Sequence, residues 1–489
     1  MNRPLRRMSA VVMLLFGLLL VNVNYLQAYR AGELRTGTGN ARTILEEYDA
    51  ERGPILIGGT EIARSVRTED QLRYLRRYPA ASLYAHATGY YSFVYGATGV
   101  ERAEDPVLAG TDARLFVRRV GDLLTGRQRQ GGAVSLTLDP AAQRAARDGL
   151  GDRQGAVVAI EPSTGAILAL WSGPTFDPNL LSSHDGRAIR DYQRGLEAAD
   201  SQPLLNRAIS RTYPPGSTFK IVTAAAALSS GRYTPDGTVP GPAALDLPLT
   251  TADLPNYDGQ PCSPGSATTT LINALRRSCN TTFGAVGLEL GAKALEEQAR
   301  RFGFDTEVEI PVPVAASAFP EDADQPQTAQ SAIGQFDVRA TPLQMAMVAA
   351  GVANNGVVMT PYLVAQRQAP DLSLLDRTDP EVLSTAVEPQ VAAQLRSMMV
   401  SVVEEGTGSN ARIDGVTVAG KTGTAQQGGG RKPHAWFVSF APAGPAEEAR
   451  VAVAVVLEDG GGAAEVSGNA LAAPIARSVM TAVLGGEAR

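Results

Sequence analysis

Hydrophobic positions fall into three patterns along the chain. From Met8 to Leu26 they form one run broken only by Ser9, Asn22 and Asn24. At about 19 residues and 1.5 Å per residue, a helix of this length crosses a bilayer core of about 30 Å. Arg3, Arg6 and Arg7 lead the run and no acidic residue occurs before Glu33. That charge bias places the N-terminus in the cytoplasm and everything after the run outside. A cleaved signal peptide, with Leu26-Gln27-Ala28 as a weak small-residue site, is the rival reading. The run exceeds the usual apolar region of about 7–15 residues, so a retained single-pass anchor over residues 1–28 is expected.

The second pattern is polar. Residues 29–130 are rich in Arg, Gly and Tyr, with extended patches such as Gly53-Pro54-Ile55-Leu56-Ile57, and predict a small mixed membrane-proximal module without a catalytic constellation. The third begins near Gly131 and continues to residue 489. Ala133 to Leu138 alternates as a strand, Pro140 to Leu150 reads as an alanine-rich helix, and Gly155 to Ile160 with Ala166 to Trp171 reads as a hairpin. A long helical middle follows, clearest at Ser217 to Leu228, Thr341 to Ala353 and Pro389 to Glu405. Val416 to Gln426, Ala435 to Phe440 and Val451 to Glu458 then predict three more strands. With the early hairpin they give one largely antiparallel sheet assembled from both ends of the segment, with helices inserted between, an α+β arrangement.

Composition narrows the function. The 489 residues, 44% of them hydrophobic, suit two or three domains with a sizeable core. A net charge of −6 excludes the basic footprint of a nucleic-acid partner. Two cysteines, Cys262 and Cys279, and the scattered His86, His184 and His434 match no zinc spacing, and nothing calls for a metal or organic cofactor. The two cysteines are open to either reading, a disulfide or two small core residues. Lysine is the informative residue. Only Lys220, Lys293, Lys421 and Lys432 occur among 44 basic residues. Arginine stays protonated, whereas lysine can be tuned into a base, so a lysine retained in an arginine-rich chain points to chemistry.

Lys220 follows Ser217 by three residues, directly after the helix breaker Tyr213-Pro214-Pro215-Gly216. This spacing puts both side chains on one helix face near a helix N-terminus, whose free N–H groups favour a developing anion. A serine beside a lysine becomes nucleophilic if the amine loses its proton, and Lys421 is the natural second cation to depress it. Taken alone, Ser-x-x-Lys is also an ordinary N-cap followed by a solvated lysine.

Order resolves the ambiguity. Ser217-Thr218-Phe219-Lys220, Ser278-Cys279-Asn280 and Lys421-Thr422-Gly423-Thr424 follow one another as do the three motifs of penicillin-binding proteins and serine β-lactamases. Ser467-Gly468-Asn469 falls after Lys-Thr-Gly and is set aside. The chain resembles a class B penicillin-binding protein, closest to the actinobacterial penicillin-binding protein A group. Gly155 to Pro162, Tyr213 to Gly216 and His434 to Val438 also match, and Arg52-Gly53-Pro54-Ile55 matches weakly. Gly334-Gln335-Phe336 departs, standing where relatives often have Gly-Gln-Gly.

The resemblance implies a penicillin-binding transpeptidase fold with an all-helical subdomain. It further implies a D,D-transpeptidase that cross-links peptidoglycan stem peptides through a Ser217 acyl-enzyme. Lys220 is implied as base, Ser278 as proton relay, and Asn280, Lys421, Thr422, Gly423 and Thr424 as substrate-binding, with an oxyanion hole at the N–H groups of Ser217 and Thr424. Lys421 is expected to stay charged. Implied partners are stem peptides, the lipid-linked precursor, β-lactams, a SEDS-type glycosyltransferase and divisome or elongasome proteins. The alternatives are a D,D-carboxypeptidase, a β-lactamase-like hydrolase or a non-catalytic scaffold. Against the hydrolase, no Glu-x-x-Leu-Asn segment occurs, and against a bifunctional synthase, no Glu-Asp-x-x-Phe-x-x-His pattern precedes Gly131.

Overall fold

The computed structural model describes residues 2–28, 45, 47–115, 128–463 and 465–485. Asn2–Ala28 is one helix, and its stretch Arg6–Tyr25 is long and apolar enough to cross a membrane. The large apolar side chains of this stretch are exposed. Water disfavours such a surface and hydrocarbon accepts it.

The Gly53 to Ile57 patch yields the short strand Ile55–Ile57, which pairs antiparallel with Thr60–Arg67, itself paired with Tyr74–Arg77. Its other edge pairs in parallel with Ala133–Leu136. The hairpin Val364–Gln368 and Leu374–Arg377 then completes a six-stranded sheet. Strands from both sides of residue 131 therefore share one layer. Behind it Glu101, fully buried, receives the Nε–H groups of Arg52 (2.6 Å) and Arg76 (2.7 Å) and the hydroxyl of Tyr78 (3.1 Å). Burial alone raises a carboxyl, but the charges and hydrogen bonds of Arg76 and Arg52 hold Glu101 below its usual range.

The second sheet carries the site. Its order is Ala419–Ala425, His434–Ala441, Val451–Leu457, Gly155–Ile160, Ile167–Gly173, all antiparallel, so the last strands of the chain pair with the early hairpin. The inner strands are buried at every position. Alternating side chains point to opposite faces, so both faces must be covered. Two groups of helices do this: Pro140–Leu150 packs with Ala473–Gly485, and Pro342–Ala353 packs with Pro389–Glu404. Pro342–Ala353 is apolar and buried all round, as a central helix must be. Gln143, also fully buried, donates to the carbonyls of Leu83 (3.0 Å) and Leu170 (3.1 Å), tying the N-terminal module to the outermost strand. The helical subdomain, built around Lys220–Ser229, Leu271–Arg277, Asn280–Leu290, Ala292–Arg301 and Gln325–Ser331, also holds two short ladders within residues 238–270.

Glu101→Gln leaves the buried guanidinium of Arg76 without its countercharge and Arg52 with only the half-exposed Asp105, and is expected to destabilise the protein by about 3–5 kcal/mol. Denaturant unfolding checks this. Stability that falls by less than about 1 kcal/mol contradicts a central role for the cluster.

Candidate active site

Tyr213-Pro214-Pro215-Gly216 is fixed from several sides before the chain turns into Ser217. Tyr213 pairs with Ala340, the N–H of Gly216 donates to the carbonyl of Gly334 (2.9 Å), and the indole Nε1–H of Trp436 donates to that of Pro214 (3.1 Å). Gly216 has φ +54°, a left-handed conformation that a side chain disfavours. Gly216–Phe219 is a 3₁₀ turn leading into the α-helix Lys220–Ser229. In a 3₁₀ turn residues i and i+3 eclipse, which brings Ser217 and Lys220 closer in register than an α-helical turn does. Lys220 Nζ lies 3.0 Å from Ser217 Oγ.

The other partners of this amine decide what it can do. Nζ lies 2.7 Å from the carbonyl oxygen of Ser278 and 2.8 Å from Oδ1 of Asn280, with Ser278 Oγ at 3.4 Å. The first two atoms only accept hydrogen bonds. A neutral amine gives them its two hydrogens and turns its lone pair to the Ser217 hydroxyl. Lys220 is fully buried beside the ring of Phe283, and among the described residues it has no carboxylate partner. Burial, reinforced by the charge of Lys421, pulls it well below the ordinary 10.5.

Ser278 sits between the two lysines. It ends the helix Leu271–Arg277 in the left-handed region, φ 63° and ψ 40°, a conformation that costs a non-glycine residue about 1–2 kcal/mol. Its Oγ accepts from Lys421 Nζ at 2.8 Å, and that amine also donates to the carbonyl of Thr422 at 2.9 Å. Lys421, expected to stay charged, sits where burial opposes its charge. Fully buried and without a carboxylate partner among the described residues, it is pushed down by burial to about 7.

Asn280 opens the next helix. Its Oδ1 faces Lys220 while Nδ2 donates to the carbonyl of Pro255 (3.0 Å), so the amide is anchored at both ends. Thr422 is buried and its hydroxyl meets that of Thr407 at 2.8 Å, whereas Thr424 is partly exposed. Gly423 has a reason internal to the protein: a Cβ there sits 2.9 Å from both Thr218 Cγ2 and Trp436 Cβ, so the glycine lets the strand close on the turn that carries Ser217. All eight residues singled out in the sequence therefore lie on three adjoining segments, and Ser217, Lys220, Ser278, Asn280 and Lys421 are joined by direct hydrogen bonds. Ser467 of the discarded Ser-Gly-Asn triplet caps the short helix Gly468–Leu471.

Several supporting residues escaped the sequence reading. Glu458, buried at the end of the strand Val451–Leu457, accepts from Tyr213 Oη (2.6 Å) and Arg207 Nε (3.0 Å), with Arg211 Nη1 at 3.2 Å. It fixes the Tyr-Pro-Pro-Gly turn from behind. Asn256 and Thr407 likewise carry no local signature. Phe336, in the divergent Gly-Gln-Phe, has φ 57°, which explains why a glycine suits that position. Cys262 and Cys279 are disulfide-bonded, with Cα atoms 5.9 Å apart, next to Ser278.

The chain matches the penicillin binding protein transpeptidase domain over residues 155–481 and the penicillin binding protein A dimerisation domain over residues 52–134. It belongs to the penicillin-binding protein transpeptidase family. Within that family it is 47% identical over 493 residues to the peptidoglycan D,D-transpeptidase PbpA of Mycolicibacterium smegmatis, covering 99% of each chain. With PbpA of Mycobacterium tuberculosis it shares 45% over 496 residues, the full length of both. The ceftriaxone acyl-enzyme complex of penicillin-binding protein A from M. tuberculosis superposes with a TM-score of 0.87 at 45% identity, over 90% of this chain and 100% of that one.

The disulfide closes a loop of 17 residues, and replacing both cysteines by serine is expected to lower stability by about 3 kcal/mol. Thermal unfolding of the double variant checks this, alongside non-reducing intact mass of the parent. Two free thiols in the parent contradict the bridge.

Proposed function

We propose that this chain is a monofunctional peptidoglycan D,D-transpeptidase, with Ser217 as nucleophile and Lys220 as its base. One observation carries the reading: a buried amine 3.0 Å from Ser217 Oγ whose two nearest other partners are obligate acceptors. Ser217 Oγ attacks the carbonyl between the two terminal D-alanines of a stem peptide as its proton passes to Lys220. The oxyanion is held by the N–H groups of Ser217 and Thr424. Ser278, bonded to both lysines, delivers a proton to the departing amine of D-alanine, and an ester to Ser217 remains. The amine of a second stem peptide then displaces Ser217, forming the cross-link. Asn280 orients the substrate backbone and Lys220, while Lys421, Thr422 and Thr424 receive the terminal carboxylate beside the close-packed Gly423. A bound carboxylate returns Lys421 to its charged form.

The relatives support this reading. Those of known structure include ceftriaxone, imipenem and penicillin G acyl-enzyme complexes of penicillin-binding protein A from M. tuberculosis, and by the same chemistry a β-lactam is expected to acylate Ser217. In the cell, residues 1–28 anchor the chain with its N-terminus cytoplasmic. Residues 29–130 form a membrane-proximal module that shares its sheet with the transpeptidase domain, residues 131–489. A SEDS-type glycosyltransferase in the same membrane supplies glycan strands, and divisome or elongasome proteins place the pair.

Incubation with penicillin G followed by intact mass is expected to show one long-lived adduct that Ser217→Ala abolishes. An adduct that survives the substitution contradicts the assignment, and rapid release of hydrolysed drug identifies a hydrolase instead. Lys220→Arg is expected to slow acylation by about 10²–10⁴-fold, the usual contribution of a general base. The pH profile follows from the two amines. Acylation rises as Lys220 loses its proton, well below pH 10.5, and falls as Lys421 loses its own near 7. Lys421→Arg, always protonated, is expected to retain acylation within about 10²-fold and to lose the alkaline fall. A parent rate that climbs steadily to about pH 10 contradicts this account of both lysines.

A further inference from the structure

The helix Asn280–Leu290 has an unusual start. Its N-cap residue, Cys279, makes no capping hydrogen bond, and its sulfur is committed to Cys262. The first N–H groups of a helix have no partner within it and must find one elsewhere. Here one atom serves two of them: Oδ1 of Asn256, 24 residues back in the chain, accepts from the N–H of Asn280 at 2.8 Å and of Thr281 at 3.1 Å. The hydroxyl of Thr281 approaches the same oxygen at 3.3 Å.

The far end of this amide is equally committed. Asn256 Nδ2 donates to the carbonyls of Gln260 (2.8 Å) and Pro242 (3.0 Å), and its own N–H donates to that of Ala243 (3.1 Å). Donors surround one end and carbonyls the other, so the orientation of the amide is unambiguous. Asn256 is 7% exposed. Its neighbour Pro255 holds the side chain of Asn280 through Nδ2 at 3.0 Å. With its backbone N–H on Asn256 and its Nδ2 on Pro255, Asn280 has Oδ1 left to face Lys220 Nζ, at 2.8 Å.

We infer that Asn256 is a positioning residue for acylation: a tertiary cap that sets the place of Asn280 and, through it, of the Lys220 amine against Ser217. The inference rests on the Ser217 acylation proposed above. Displacing a catalytic group by about 1 Å from a remote site costs about 10²-fold in rate, because near-attack geometry is lost while the binding surface survives. Asn256→Ala removes both ends of the amide. Asn256→Asp keeps the acceptor for the two N–H groups, at a helix N-terminus that favours a carboxylate, and loses the donors to Pro242, Gln260 and the sulfur of Cys262.

The test follows acylation of the full-length, detergent-solubilised protein by penicillin G under stopped-flow conditions, separating the pre-covalent dissociation constant from the acylation rate constant, with thermal midpoints in parallel. Asn256→Ala is expected to lower the rate constant by about 10²-fold with the dissociation constant within about threefold of the parent, and Asn256→Asp is expected to recover most of the rate. Equal rates in parent and alanine variant overturn the inference, as does loss of binding and rate together. Should the alanine variant not fold, the aspartate variant carries the test, and a folded aspartate variant as slow as about 10²-fold below the parent overturns it. A parent that forms no adduct sinks the Ser217 reading itself, an outcome distinguishable from all of these.

Discussion

The structure turns on an amine buried without a countercharge. Lys220 is enclosed by the carbonyl of Ser278, the amide oxygen of Asn280 and the hydroxyl of Ser217, and a second buried amine, Lys421, lies one hydroxyl away. Burying an unpaired cation costs several kcal/mol, and the group escapes that penalty by giving up its proton. A lysine in this setting is driven toward its neutral form because the alternative is electrostatically worse. The same logic acts on Lys421, which burial pulls down to about 7.

Holding that arrangement requires parts far apart in the chain. Ser217 and Lys220 come from a 3₁₀ turn and the helix that follows, Ser278 and Asn280 from the join of two helices, and Lys421 from the outer strand of the sheet. Two of these are braced from behind: the Ser217 turn by Glu458, Trp436 and Gly334, the Ser278 join by the disulfide and Asn256. The strain at Ser278, left-handed where glycine is at ease, places a hydroxyl between the two amines. Rigid elements on every side let such a site persist.

Much of this was legible in the sequence, for local reasons. Ser217 and Lys220 are three apart after a Pro-Pro-Gly breaker, and the sheet strands alternate or run apolar with turn residues between them, so motif and element type are written in short windows. The membrane-crossing length of Arg6–Tyr25 is similarly local. What could not be read depends on tertiary contact. Ala133–Leu136 joins the sheet of the N-terminal module beside Ile55–Ile57, and the hairpin Val364–Gln368 with Leu374–Arg377 pairs onto it across more than two hundred further residues of chain. Asn256 caps a helix it does not precede, Glu458 holds a tyrosine 245 residues away, and Gly423 is small because of Thr218 and Trp436. The downward pull of burial on Lys421 was not legible, because burial is not a property of a motif.

The scarcity of lysine gives the most direct test of the central claim. Full-length protein carrying ¹³Cε-labelled lysine has four labelled side chains, and single Lys→Arg substitutions assign them. Titration followed by NMR reports the protonation of each amine. The account predicts that burial and the neighbouring Lys421 make Lys220 titrate well below 10.5. A Lys220 signal that stays in its protonated position until about pH 10 would contradict it.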